Sequence, residues 1–167
     1  MSSSAIIFVF CRLANVMEFI TGYFFMKCID CTMKRRKGKL LFLPGLLLYT
    51  IVSTLVVFPK DMTNISVALI LFVLANFMLY QGKWIVKISM IFIFLPIAAS
   101  VNLLHTDVGG HIFYAVFFYQ EDQLANAVFS AAFVIRPVFW GTFYHFFSPS
   151  LKRSRTYLPT GHGRLWM

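Results

Sequence analysis

The chain has 167 residues, enough for one soluble domain, but its composition is not that of a soluble protein. Hydrophobic residues make up 59% of the chain and charged residues only 13%, so there is too little polar surface to cover its long apolar runs. The net charge of +9 does not indicate nucleic-acid binding. The basic residues cluster at the ends of apolar segments, where anionic headgroups and cytoplasmic loops favour them.

Five apolar segments approach the length that is needed to cross a bilayer. The sequence therefore predicts an all-α fold: a polytopic bundle of about five transmembrane helices in the cell membrane, with its N-terminus outside. Residues 1–150 would form this membrane domain and residues 151–167 a basic cytoplasmic tail. The predicted spans are 5–26, 40–58, 65–80, 88–104 and 124–147.

Short basic loops predict the orientation, because loops rich in Lys and Arg stay on the cytoplasmic side. The segment MKRRKGK, residues 33–39, separates the first two spans. With five crossings and an outside N-terminus, only Lys60 among the bases lies on an outer link, while Arg12 and Arg136 lie within spans. The residues predicted to determine topology are Lys34, Arg35, Arg36, Lys37, Lys39, Lys152, Arg153 and Arg155.

The first span contains the polar residues Arg12, Asn15 and Glu18. At 100° per residue they fall within about a third of the helix circumference, together with Gly22, so they can face one partner. An ionised group in hydrocarbon costs on the order of 3 kcal/mol, and such groups usually point inward and pair. Two interpretations of Glu18 stay open: a structural contact between helices, or a role in ligand binding or signalling.

Arg136, followed by Pro137, is the second feature that costs free energy to bury within a membrane span. In the structural interpretation, Arg136 pairs with Glu18 or Asn126 and Pro137 kinks the helix. In the functional interpretation, Arg136 and Pro137 form a movable joint that carries a signal inward.

No catalytic residue, metal site or cofactor is predicted. Cys28 and Cys31 form a CxxC whose spacing suits a redox pair or half a zinc site, but no second pair exists, so reduced thiols at the cytoplasmic side are expected. A Cys–His arrangement with His145 or His162 stays open, although no motif supports it. No phosphate-binding glycine loop or ATP-binding signature is present.

The link 105–123 is the longest between spans. Its aromatic run, from His111 to Tyr119, is too short to cross, so we expect it to lie along the outer surface or to dip in beside other helices. His105 and His111 with Asp107 can bind a metal in principle, but beside glycines they are expected to be solvated polar groups.

The order of these features resembles a known family. They are Glu18 in NVMEFITGYFF, the basic first loop, Pro96 followed by NLLHTDVGG, and a last span ending RPVFWGTFYHFF before LKRSRTYL. Together they resemble the N-terminal membrane sensor region of sensor histidine kinases with a GHKL-type ATPase domain, the accessory-gene-regulator-C-like receptors of Firmicutes. The resemblance covers residues 5–158.

The resemblance implies a bacterial sensor for two-component signal transduction, and a full-length relative would be a histidine kinase. This chain carries no catalytic domain, and because the pattern departs from the family after Leu158, we expect a truncated reading frame. His162 lacks a following acidic partner and is not assigned as a phosphoacceptor. The family also implies a homodimer and a secreted peptide or small-molecule ligand at the outer links. The candidate contacts are Asp61, Asp107, His111, Phe113, Tyr114, Phe117 and Tyr119.

A second hypothesis comes from a different class of protein. In a small transport protein or a substrate-binding membrane component, Arg12, Glu18 and Arg136 would line a polar site at membrane depth. The absence of an internal repeat weakens this alternative.

Overall fold

A computed structural model describes residues 3–36, 38–55, 61–116 and 132–157 of the chain. These residues form five α-helices and no β-strand, which confirms the all-α prediction. Each helix overlaps one of the predicted spans. The helices are α1 (Ser3–Thr32), α2 (Phe42–Thr54), α3 (Met62–Leu79), α4 (Trp84–Val116) and α5 (Ile135–Tyr157), with 3-10 turns at Lys39–Leu41 and Ala132–Val134.

Within the part of the chain that the structure describes, two helical segments are long and apolar enough to cross a membrane, namely Met62–Leu79 and Trp84–Ile112. Phe42–Thr54 is also apolar but shorter. Its first turn contains Pro44, which is well placed there because the first N–H groups of a helix have no intrahelical acceptor.

Helix α4 is longer than predicted. The sequence predicts a link from residue 105, but α4 continues through Asp107 and the two glycines to Val116. A glycine costs a helix only about 1 kcal/mol relative to alanine, which is less than leaving several backbone groups unpaired among apolar neighbours. The predicted surface segment is therefore helical up to Val116, and its remainder lies outside the described residues.

Helix α5 begins at Ile135, although the fifth span is predicted from residue 124. Pro137 lies in its first turn, where its missing N–H and fixed φ favour a helix start rather than a kink. Residues 124–131 lie outside the described part of the chain.

One aromatic ring from each helix meets at the centre of the core. Phe25 of α1 is fully buried, and its ring centroid lies 4.6 Å from that of Trp140 in α5. The same ring lies 5.7 Å from Tyr49 of α2, 5.5 Å from Phe72 of α3 and 6.0 Å from Phe94 of α4. Because tilted and edge-to-face ring pairs add to the free energy of burial, Phe25 joins all five helices.

Two contacts fix how closely the helices approach. At Gly22, an added Cβ would lie 2.6 Å from the Cα of Thr50, so α1 and α2 touch backbone to backbone at this point. Between α2 and α3, the buried Tyr49 hydroxyl donates to Oδ1 of Asn76 at 3.1 Å. The amide group of Asn76 in turn donates to the Phe72 carbonyl at 2.9 Å, so this buried polar side chain is hydrogen-bonded on both atoms.

Candidate functional site

Arg136 lies in the first turn of α5 and is only 2% exposed. Its guanidinium group sits 4.8 Å from the centroid of the Phe133 ring, and its Nε has no hydrogen-bond partner among the described residues. His105 of α4 stacks on the same ring, with centroids 4.6 Å apart. We call Glu18, Asn102, His105, Phe133 and Arg136 the buried polar cluster.

Glu18 supplies the charge that acts on Arg136. Its half-buried carboxylate, near the middle of α1, attracts the Arg136 guanidinium electrostatically. No ion pair within 4.0 Å joins these two described side chains. The predicted pairing is therefore a longer-range attraction, and Asn126, the other predicted partner, lies outside the described residues.

Asn102 ties α4 to the end of α2. The side chain is fully buried, and its Nδ2 donates to the carbonyl of Leu55 at 2.7 Å. Its Oδ1 has no hydrogen-bond partner within the described ranges. The sequence does not mark Asn102 as a contact residue, because a lone Asn in an apolar run does not show which neighbour it will meet.

The polar arc predicted on α1 does not face one partner along its length. Arg12 and Asn15 are exposed, and the Arg12 guanidinium lies 5.0 Å from the Phe8 ring on its own helix. Glu18 is half-buried and Gly22 is buried against α2. The helical period placed these residues on one side, but only the neighbouring helices decide which part of that side is covered.

The candidate outer contacts have local structural roles where they are described. Asp61 caps α3 by accepting from the backbone N–H of Asn64 at 3.1 Å and from its Nδ2 at 2.7 Å. Asp107 and His111 are exposed on α4, and Nδ1 of His111 lies 2.9 Å from the Asp107 carbonyl oxygen. Phe113 and Tyr114 belong to α4 by their backbone, whereas Phe117 and Tyr119 lie outside the described residues.

The links that follow α1 and α3 are hydrogen-bonded to each other. Arg35 and Tyr80 form an antiparallel bridge, in which the Arg36 N–H donates to the Leu79 carbonyl at 2.8 Å and the Gln81 N–H donates to the Lys34 carbonyl at 2.9 Å. The two basic links therefore lie at the same end of the bundle. We call Lys34, Arg35, Arg36, Lys83 and Lys87 the basic end.

Asp30 holds this junction together. The buried Tyr80 hydroxyl donates to its Oδ1 at 2.9 Å, and Nη2 of Arg35 lies 3.5 Å from its Oδ2. Burial, followed by the proximity of Tyr49 and Asp30, raises the pKa of Tyr80 well above its ordinary value. The neutral hydroxyl is therefore the form that the fold requires.

The residues predicted to determine topology are mostly solvated. Lys34, Arg36, Lys152 and Arg153 are exposed and Arg35 is half-buried. Lys37 lies outside the described residues, and Lys39 and Arg155 are described only by their backbone. Lys87, in the first turn of α4, differs from these solvated bases because it is only 4% exposed.

Cys28 and Cys31 are both buried, and neither forms a disulfide within the described residues. Burial, with the neighbouring Cys31, raises the pKa of the Cys28 thiol to about 12, which opposes formation of the thiolate that redox chemistry and metal binding require. Among the described residues, no group of three His, Cys, Asp or Glu side chains is arranged to hold a metal ion. His145 is exposed, and His162 lies outside the described part of the chain.

Comparison with known proteins adds no assignment. No protein-family model, curated protein or solved structure matches this chain. The function must therefore be argued from its own residues.

Proposed function

We propose that this chain is a multi-pass membrane sensor module of two-component signalling, which controls a histidine kinase domain outside residues 1–167. The observation that carries the proposal is Arg136, a guanidinium buried where α5 meets α1 and α4 without a direct carboxylate partner in the described residues. Charged groups at such positions in membrane helices are costly, and they are retained mainly at functional sites.

In this proposal, the buried polar cluster is the part of the bundle that switches between two packing arrangements of α5 against α1. Arg136 contacts Phe133 and is attracted over a longer distance by Glu18, so a change in either interaction alters how α5 packs against α1. A ligand that stabilises one packing arrangement over the other shifts the population of the two.

Helix α5 provides the mechanical connection. It runs from Ile135 to Tyr157 with Pro149 inside it, so Arg136 and the basic residue Arg153 lie on one helix. At about 1.5 Å per residue the helix spans roughly 25 Å between them. A shift or rotation at the buried polar cluster would therefore reach the predicted cytoplasmic end of the bundle.

By the family resemblance, the signal would be a secreted peptide or a small molecule at the outer ends of the helices, and the module would be a homodimer. Asp61 and Asp107 mark those ends in the predicted threading. Exposed apolar side chains such as Phe92, at 72%, and Val138, at 58%, suit contact with lipid.

The transport alternative has less support. It needs Arg12, Glu18 and Arg136 to line one polar site. Arg12 is exposed on α1, however, whereas Arg136 is buried where α5 meets α1 and α4. Adjacent genes for ATP-driven transport subunits would favour it, whereas a neighbouring reading frame for a GHKL-type ATPase would favour the sensor.

Thiol accessibility tests the threading. In a Cys11→Ser background, Met62→Cys places a thiol at the predicted outer start of α3, and Lys34→Cys places one in the basic loop. Both native side chains are exposed. A membrane-impermeant maleimide applied to intact cells should label the first and should label the second only after permeabilisation. The reverse pattern would overturn the orientation and the sensor model with it.

A chimera tests the signalling role. The chain is fused through Tyr157 to the catalytic region of a histidine kinase, and autophosphorylation is measured in membrane vesicles. Arg136→Gln should change basal autophosphorylation about 2- to 30-fold, the range that corresponds to couplings of roughly 0.5–2 kcal/mol. The control is Val138→Ala in the same helix, whose exposed side chain should be neutral. Equal activities of both variants, at equal amounts in the membrane, would refute the role of Arg136.

A further inference from the structure

The two basic links bring like charges together. Arg36 is hydrogen-bonded through its backbone N–H to Leu79 at the end of α3, Lys87 lies over the Phe77 ring of the same helix, and the two charges repel each other. Neither cation forms an ion pair within the described residues. Two neighbouring cations repel each other, and an anion bound beside them would relieve that repulsion.

Of the two cations, Lys87 is the less exposed to solvent. It is 4% exposed, and its Nζ lies 4.7 Å from the centroid of the Phe77 ring of α3. A cation–π contact orients an ammonium group but does not neutralise its charge. An anion within reach of the ammonium group would neutralise that charge.

The position of this pair favours a phosphate. Lys87 lies in the first turn of α4, whose leading N–H groups carry partial positive charge and attract anions. The Val86 and Lys87 N–H groups donate to the Lys83 carbonyl, at 3.1 and 3.4 Å, whereas those of Trp84 and Ile85 precede any intrahelical acceptor. Trp84, 63% exposed, suits headgroup depth, where indole rings collect.

We propose that Arg36 and Lys87, with the N-terminus of α4, bind the phosphate of an anionic lipid headgroup at the basic end. The guanidinium and the ammonium supply the charge, and the free N–H groups supply directional hydrogen bonds. This site rests on the membrane threading of the proposed function, but not on the signalling role of Arg136.

Lipid retention tests the site. The full chain is reconstituted into nanodiscs of equal parts phosphatidylcholine and phosphatidylglycerol and then extracted into mild detergent. Retained lipid is counted by mass spectrometry. The wild type should retain phosphatidylglycerol in preference, and Arg36→Gln should lower the ratio of the two lipids about tenfold, since it removes one charge-assisted contact.

The matched control is Arg153→Gln, which removes the same charge from an exposed position on α5. It should keep the wild-type ratio. Equal loss in both variants would mean a general charge effect and would overturn the site, as would an unchanged ratio in Arg36→Gln. Lys87→Gln is a second variant, but because Lys87 is buried, the decision rests on the exposed Arg36.

Thermal melting distinguishes a lipid phosphate from free inorganic phosphate as the bound group. Discs with phosphatidylglycerol should raise the Tm of the wild type above its value in neutral discs, and Arg36→Gln should remove that difference. Stabilisation by millimolar inorganic phosphate in neutral discs, without preferential lipid retention, would overturn the lipid assignment. A chain that retains phosphatidylglycerol but shows no effect of Arg136→Gln in the kinase chimera would keep this site and lose the sensor function.

Discussion

At the scale of single residues, burial of charge decides which side chains matter. Arg136 and Glu18 are both ionisable and lie on different helices, yet their attraction acts without a direct ion pair. Without a direct ion pair, the attraction does not offset the whole desolvation cost of the guanidinium group. The packing around Arg136 is therefore sensitive to small changes.

A double-mutant cycle measures this attraction. Glu18→Gln and Arg136→Gln should each lower the Tm in detergent, and the double variant should lose less than the sum, with a coupling of about 0.5–2 kcal/mol. Arg12→Gln with Glu18→Gln is the control pair, because exposed Arg12 contacts Phe8 instead. Strict additivity of Glu18 and Arg136 would show that they do not interact.

The Cys28 thiol should be inert in the folded protein. With a pKa of about 12, its thiolate fraction at pH 8 is about one in ten thousand, and the side chain is fully buried. N-ethylmaleimide should modify it only after denaturation, as followed by intact mass in a Cys11→Ser background. The exposed thiol introduced by Lys34→Cys is the positive control; comparable native rates for the two thiols would contradict the burial.

At the scale of elements, the helix ends depend on particular residues. Pro137 favours a start for α5 at Ile135, and Asp61 caps α3. The packing between elements depends instead on small residues, of which Gly22 is the clearest case.

Gly22→Ala should destabilise the contact between α1 and α2. The added methyl would lie 2.6 Å from the Thr50 Cα, so the two backbones must separate, at a cost of about 1–3 kcal/mol. Gly110→Ala in α4 is the matched control, because nothing lies within 4 Å of its Cβ and alanine favours a helix. Melting in detergent compares the two; an unchanged Tm in Gly22→Ala would disprove the close approach.

At the scale of the whole molecule, one junction joins the ends of α1 and α3 at the basic end. Tyr80, Asp30 and Arg35 fix the link after α1 against the link after α3. The aromatic rings around Phe25 then join all five helices deeper in the bundle.

The junction predicts a loss of stability at high pH. Because the folded-state pKa of Tyr80 lies above its unfolded value, its contribution is complete below about pH 10 and is lost as pH rises through the folded pKa. At pH 8, Tyr80→Phe should cost about 0.5–1.5 kcal/mol through the lost hydrogen bond to Asp30. The Tm difference between wild type and Tyr80→Phe should therefore shrink above pH 10. The control, Tyr23→Phe, changes a partly exposed ring; a constant difference for Tyr80 would contradict the prediction.

The sequence by itself determined the helices and their chemical character. Apolar run length and the placement of bases predicted an all-α chain whose five helices each overlap a predicted span, because helix formation and hydropathy are local properties. Local rules also account for Pro44, which lies in the first turn of α2. They did not predict the extension of α4 through Gly109 and Gly110, since glycine signals a break only when no neighbouring packing compensates for it.

Only the tertiary structure decided which polar residues meet. Arg12 and Glu18 lie on one arc of α1, yet the neighbouring helices cover only part of that arc. The repulsion between Arg36 and Lys87 and the hydrogen bond between Tyr80 and Asp30 each involve residues about fifty positions apart. Such contacts follow from how the helices pack, and no periodicity within one helix encodes the position of a partner on another.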